Sequence, residues 1–126
     1  MKKVIATKNA PAAVGPYNQA ILAGNNLFIS GQLPIDVATG KFVSDDVAEQ
    51  TEQSLKNMGK ILEEAGMTFD NVVKTTVLLA DIKDFAAMNE VYAKFFSGDF
   101  PARAAFEVAN LPLGARVEIE AVAYKE

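Results

Sequence analysis

Arg103 is the single charge in Phe100-Pro101-Ala102-Arg103-Ala104-Ala105-Phe106. Its small neighbours leave room for a ligand, and its planar fork suits a carboxylate bidentately. An edge-strand arginine that is open to water or paired with Glu107 fits the same pattern. Glu118 and Glu120 stand two apart in Arg116-Val117-Glu118-Ile119-Glu120-Ala121. Strand alternation puts both carboxylates on one face with Arg116 and Val122. A carboxylate on a sheet face covered by another subunit can serve as general base or orient a water. The ordinary polar face of a half-exposed strand reads identically. Asn89 falls four residues after Phe85 and three before Tyr92, so it interrupts an apolar helical stripe. A buried amide there must find partners, either a backbone strand edge or a ligand.

The chemistry open to these groups is narrowed by two absences. The chain has no cysteine and no histidine. That removes disulfides, thiolate nucleophiles, thiolate or imidazole zinc sites, and every Ser-His or Cys-His arrangement. Catalysis must use carboxylates, Tyr, Lys, Arg, backbone groups or water. The net charge of −4 and a pI near 4.8 oppose general attraction to phosphate backbones. Gly15-Pro16-Tyr17 offers a phenol beside a rigid bend. Ser30-Gly31-Gln32 ends a strand where glycine lets the backbone approach a ligand. Neither stretch has the spacing of a dinucleotide or phosphate loop.

The elements that must position these residues follow from periodicity. At 126 residues the chain is the size of one domain, expected to span residues 1–126. Lys3–Ala6, Tyr17–Leu22 and Leu27–Ser30 read as strands, the last two joined at Gly24-Asn25-Asn26, a hairpin turn tolerant of positive φ. A loop with Pro34, Thr39 and Gly40 follows. Asp46 opens a helix, with Glu49 three residues on as an acidic capping box. Thr51, Leu55, Met58, Leu62 and Ala65 form its stripe, and Gly66 ends it. Val72–Ala80 is a strand. Asp84 is expected to cap a second helix bearing Phe85, Met88, Tyr92, Phe95 and Phe96. Ala102–Val108 and Arg116–Tyr124 complete the strands. The β-β-β-α-β-α-β-β order predicts an α+β two-layer sandwich, one six-stranded sheet with both helices on one face. Strands with apolar residues on both sides, such as Val72 to Leu79, predict that a partner subunit covers the other face. Lys2 and Lys3 are followed by too short an apolar stretch for a signal peptide, and no run approaches the ~18 residues of a membrane span. The expected location is the cytoplasm.

Taken together, four stretches resemble the Rid (reactive intermediate deaminase, YjgF-type) family over nearly the whole chain. Gly15-Pro16-Tyr17-Asn18-Gln19-Ala20 is similar to the family's GPYSQA-type segment, and Ser30-Gly31-Gln32-Leu33-Pro34 to its SGQxP, with Thr39-Gly40 behind it. Pro101-Ala102-Arg103, then Val108-Ala109-Asn110-Leu111-Pro112, then Gly114-Ala115-Arg116-Val117-Glu118-Ile119-Glu120 resemble its C-terminal signature. The resemblance implies a chorismate-mutase-like fold with a mixed sheet, a homotrimer with sites in the clefts between subunits, and hydrolysis of 2-imino and enamine acids such as 2-iminobutanoate and 2-iminopropanoate. It implies Arg103 as the carboxylate-binding residue and Glu118 as the water-positioning acid. Tyr17, Ser30, Gly31, Asn89 and Ala105 then line the pocket, with no metal or organic cofactor. Ala104 and Ala105 stand where the family often has Ser and then Cys or Thr; the reaction class needs neither side chain. Two further readings stand beside this one, the first from other labels in the family and the second from the same carboxylate-binding cleft. One is an endoribonuclease or translation inhibitor, which the acidic charge and missing histidine oppose. The other is a non-catalytic 2-oxo acid-binding regulator.

Overall fold

The computed structural model describes residues 1–126. Ten regular elements run in the order β1 (Lys2–Ile5), β2 (Ala20–Ala23), β3 (Asn26–Gln32), β4 (Ile35–Asp36), β5 (Lys41–Phe42), α1 (Val47–Glu64), β6 (Val72–Leu79), α2 (Phe85–Tyr92), β7 (Ala102–Glu107) and β8 (Val117–Tyr124). Six strands form one sheet in the order β1-β2-β3-β8-β6-β7. Only β6 and β7 run parallel; the other neighbours are antiparallel, so the sheet is mixed. A parallel pair needs a crossover, and α2 lies within it.

Alternation decides which face each strand buries. On β8, Val117, Ile119, Ala121 and Ala123 are buried, while Glu118, Glu120, Val122 and Tyr124 point the other way. The buried set meets Leu55, Met58, Ile61 and Leu62 of α1 and Met88 of α2 in one cluster of 19 residues. Each such side chain removed from water stabilises the fold by roughly 1.5–3 kcal/mol. The opposite face has no cover: Val4, Phe28, Phe106 and Tyr124 are all exposed there. No helix is long and apolar enough to cross a membrane.

Several expected boundaries shift for local reasons. The strand expected from Tyr17 starts at Ala20 instead, because the Gln19 side chain turns to the preceding loop. Its Oε1 accepts from Thr7 N (2.7 Å), and its Nε2 donates to the carbonyls of Thr7, Ala10 and Pro11. The hairpin turn falls at Gly24-Asn25, with Gly24 at φ +60°. The stretch expected as loop after Pro34 contains the β4–β5 hairpin, closed through Gly40 at φ +72°. Asp46 caps α1 by accepting from Glu49 N at 3.0 Å. The reciprocal half of the capping box is not made, because Asp46 N donates to Ser44 Oγ. Asp84 makes no cap bond to α2. Its carboxylate is drawn to Arg116 Nη1 at 3.4 Å, and Asp81 instead caps the short turn before the helix. The second helix ends at Tyr92, so Phe95 and Phe96 lie beyond it in and after a 3₁₀ turn.

Candidate active site

Arg103 lies on the edge strand β7, in register with Thr75 of β6. Thr75 is buried on the helix-covered face, so Arg103 points to that side, under α2. Its Nη1 donates to Asn89 Oδ1 at 2.6 Å. Its Cζ stands 5.4 Å from the Phe85 ring centroid and 4.9 Å from that of Tyr92. No carboxylate of the chain pairs with it. Glu107, the alternative partner, accepts from Ile82 N instead. Asn89 is half-buried, and neither a strand edge nor burial claims its oxygen. Asn89, Tyr92, Ala93, Phe100, Pro101 and Arg103 line a cleft of about 470 Å³. Four of the five guanidinium N–H groups make no hydrogen bond within the chain.

Glu118 sits on the bare face, half-buried. Burial pushes its carboxyl above the usual carboxylate range, and the Glu120 charge adds a smaller push in the same direction. It packs against Gly31, whose position is set by a bulge: between the pairs Ile29–Ala121 and Gln32–Ile119, two residues of β3, Ser30 and Gly31, oppose one of β8, Glu120. A Cβ on Gly31 would come within 2.3 Å of Glu118 Oε2 and 2.8 Å of Cδ. What glycine accommodates there is the close approach of the Glu118 side chain, not a special backbone angle. Ser30 Oγ donates to Asn18 O at 2.6 Å, and Tyr17, half-exposed, accepts from Val14 N at 3.4 Å. Tyr17, Ser30, Gly31 and Glu118 thus belong to one neighbourhood, at the β3–β8 bulge and the loop before β2.

Gly31→Ala is expected to leave the fold intact, because the clash falls on the far end of a flexible side chain. The Glu118 carboxylate must move, and turnover should fall about tenfold or more, since a displacement of the order of 1 Å is costly to catalysis. Unaltered kcat with a native unfolding transition would dissociate Gly31 from the chemistry.

Within one chain the two neighbourhoods do not meet. The Arg103 row crosses β8 at Ala121, three residues from Glu118, and β8 is two strands from β7. That places the two backbones about 10 Å apart along the strands and about 10 Å across them, with side chains on opposite faces. Ala105 shares the Arg103 face but packs against the core and does not line the cleft. A larger groove of about 740 Å³ lies under the loop from Thr7 to Val14, and neither Arg103 nor Glu118 lines it. The sequence reading missed Phe85 and Tyr92 as ring faces for the guanidinium. The signal was present, since both bracket Asn89 at helical spacing.

A half-buried glutamate against a glycine bulge and an unpaired arginine over an open cleft lie on one small α+β domain, a six-stranded mixed sheet with two helices. The family model described as Endoribonuclease L-PSP matches residues 7–125, and the chain belongs to that family, the YjgF/Rid family. A human protein named 2-iminobutanoate/2-iminopropanoate deaminase is 57% identical over 123 residues, 98% of this chain and 90% of that protein. Among solved structures, the Rid-family protein YyfA from Yersinia pestis superposes with a TM-score of 0.96 at 48% identity, covering 99% of this chain and 100% of that one. TdcF from E. coli, solved with bound serine, gives 0.94 at 40% identity, with 98% and 99% covered.

Proposed function

We propose that this protein hydrolyses 2-imino acids and their enamine tautomers, such as 2-iminobutanoate and 2-iminopropanoate, to 2-oxo acids and ammonia. The observation that carries this is Arg103, held by Asn89 above an open cleft with no acidic partner of its own. A guanidinium so placed suits a small carboxylate. The names of similar proteins, the human 2-iminobutanoate/2-iminopropanoate deaminase among them, point to the same substrate class.

In this reading Arg103 holds the substrate carboxylate, and Tyr17 with the Ser30–Gly31 backbone borders the imine end. Glu118 takes a proton from water as the water oxygen bonds to C2, and the imine nitrogen takes up a proton from solvent. The tetrahedral adduct then collapses: the Glu118 proton passes to nitrogen, the C2–N bond breaks and ammonia leaves, and the hydroxyl gives its proton to solvent as the C=O forms. Imines are electrophilic already, so orientation supplies much of the rate; well-placed reactants gain roughly 7–11 kcal/mol in favourable cases. No metal or organic cofactor has a part in these steps.

Because Arg103 and Glu118 occupy opposite faces of one sheet, the working site takes its halves from two subunits. Arg103 and Asn89 of one chain face Glu118, Gly31, Ser30 and Tyr17 of the next, in a homotrimer whose contacts cover the apolar sheet face. The chorismate-mutase-like assembly and cytoplasmic location belong to this same reading. Turnover of freshly generated 2-iminobutanoate by the purified protein, followed as released ammonia, tests the activity. Mixing tests the shared site. Arg103→Ala and Glu118→Gln chains, each inactive alone, should regain up to about a quarter of wild-type activity after joint refolding, since one interface in four then carries both intact halves. No recovery on mixing would put both groups in the same subunit's site.

A further inference from the structure

Arginine on an edge strand is ordinarily free to sample many rotamers, and Arg103 is exposed. What confines it is one face of α2. Phe85 and Tyr92 are seven residues apart, hence about 10 Å along the helix axis, with Asn89 between them. That gap is the span a guanidinium fills when each ring stands about 5 Å away, as the two rings do. The two rings are not held alike. Phe85 is half-buried and has no polar group. Tyr92 is 4% exposed, and its hydroxyl is hydrogen-bonded to Thr75 Oγ1 at 2.6 Å. Thr75 is itself 1% exposed and is the register partner of Arg103 on the adjacent strand. The Tyr92 side chain therefore closes a small loop of contacts: its hydroxyl is tied to β6, and its ring lies against the side chain that β7 sends up beside it. Phe96 backs the ring at 4.9 Å between centroids. Thr75 is β-branched and stiff at χ1, so the tether is a firm one. Burial pushes the phenol up from its usual value, so it meets the threonine as a neutral hydroxyl.

We infer that Tyr92, tethered by Thr75, is a positioning residue that sets the orientation of the Arg103 guanidinium for carboxylate binding. This rests on the reading of Arg103 as the carboxylate-binding residue. It extends the site by two buried residues, Tyr92, whose ring borders the Arg103 cleft and acts through the guanidinium, and Thr75 behind it.

The test measures 2-oxobutanoate binding by calorimetry, and KM and kcat for 2-iminobutanoate, on the full-length protein. Tyr92→Phe and Thr75→Val keep the packed volume and delete one hydroxyl each. Each should raise Kd and KM about two- to tenfold, the range expected for a weakened guanidinium–ring contact, with kcat little changed. Thr75→Ser, which keeps the hydroxyl, should restore wild-type Kd. The Tyr92→Phe/Thr75→Val double variant should bind no worse than the weaker single variant, because both delete the same bond. Arg103→Ala, run alongside, should bind no 2-oxobutanoate. If the hydroxyl variants lose thermal stability but keep wild-type Kd while Arg103→Ala loses binding, Tyr92 is merely structural and the inference fails alone. Additive losses in the double variant also overturn it. If Arg103→Ala itself binds normally, the reading of Arg103 fails and takes the inference with it.

Discussion

Arg103→Ala is expected to abolish both 2-imino acid turnover and 2-oxo acid binding while the chain stays folded. The guanidinium is exposed, forms no salt bridge, and gives up one hydrogen bond and two ring contacts on removal. Losses of that kind at a surface cost folding about 1 kcal/mol or less. Binding loses far more. Truncating one member of a charge-assisted pair costs about 2–5 kcal/mol, or roughly 30-fold to several thousandfold in Kd. Arg103→Lys should recover only part, since an ammonium cannot bridge both carboxylate oxygens or lie flat between Phe85 and Tyr92. Asn89→Ala should sit between the two, because it frees the guanidinium without removing it. Calorimetric titration of 2-oxobutanoate with a parallel thermal melt reads both quantities. Unchanged turnover in the alanine variant would make Arg103 an ordinary surface charge.

Glu118→Gln is expected to keep 2-oxo acid binding and lose about 10²–10⁴-fold in kcat, the usual cost of a deleted general base. The pH dependence adds a second signature. Glu118 holds its proton above the usual carboxylate range, chiefly through burial and secondarily through the Glu120 charge. Turnover by a carboxylate base should rise with pH through that raised value, and this limb should vanish in Glu118→Gln. Glu120→Gln should keep the plateau rate and move the limb to lower pH, because one of the two upward pushes is gone. Stability runs the opposite way. Between the ordinary and the raised value the native state binds the proton that the unfolded chain has released, so stability falls as pH rises through that window. Glu118→Gln should flatten this slope. RNA cleavage, if any is seen, should not follow Glu118. An RNase activity tracking this substitution, with imine turnover intact, would instead support the ribonuclease label that the family carries.

The sequence alone determined the elements whose periodicity is strong and the residues whose chemistry is singular. The stripe at Thr51, Leu55, Met58 and Leu62 made α1 legible, and the alternation from Val117 to Tyr124 made β8 legible, because one-sided burial imposes those periods. Arg103 and Glu118 stood out as charges among small or apolar neighbours in a chain without cysteine or histidine. Boundaries were decided later, by long-range side-chain bonds that leave no periodic trace. Gln19 holds Thr7, Ala10 and Pro11 and delays β2; Asp84 turns to Arg116 and leaves α2 without its cap. Only the tertiary structure could decide what surrounds the two chemical groups. Phe85 and Tyr92 read as core positions, because a ring that stacks on a guanidinium and one that fills a core obey the same helical spacing. Gly31 read as a strand-end glycine open to a ligand's approach; the bulge brings the Glu118 carboxylate against it. The separation of Arg103 from Glu118 onto opposite faces depends on strand order and register, which pair residues as far apart as Asn26 and Tyr124. A pattern within a strand gives each side chain its parity; it takes the assembled sheet to say which face each parity becomes.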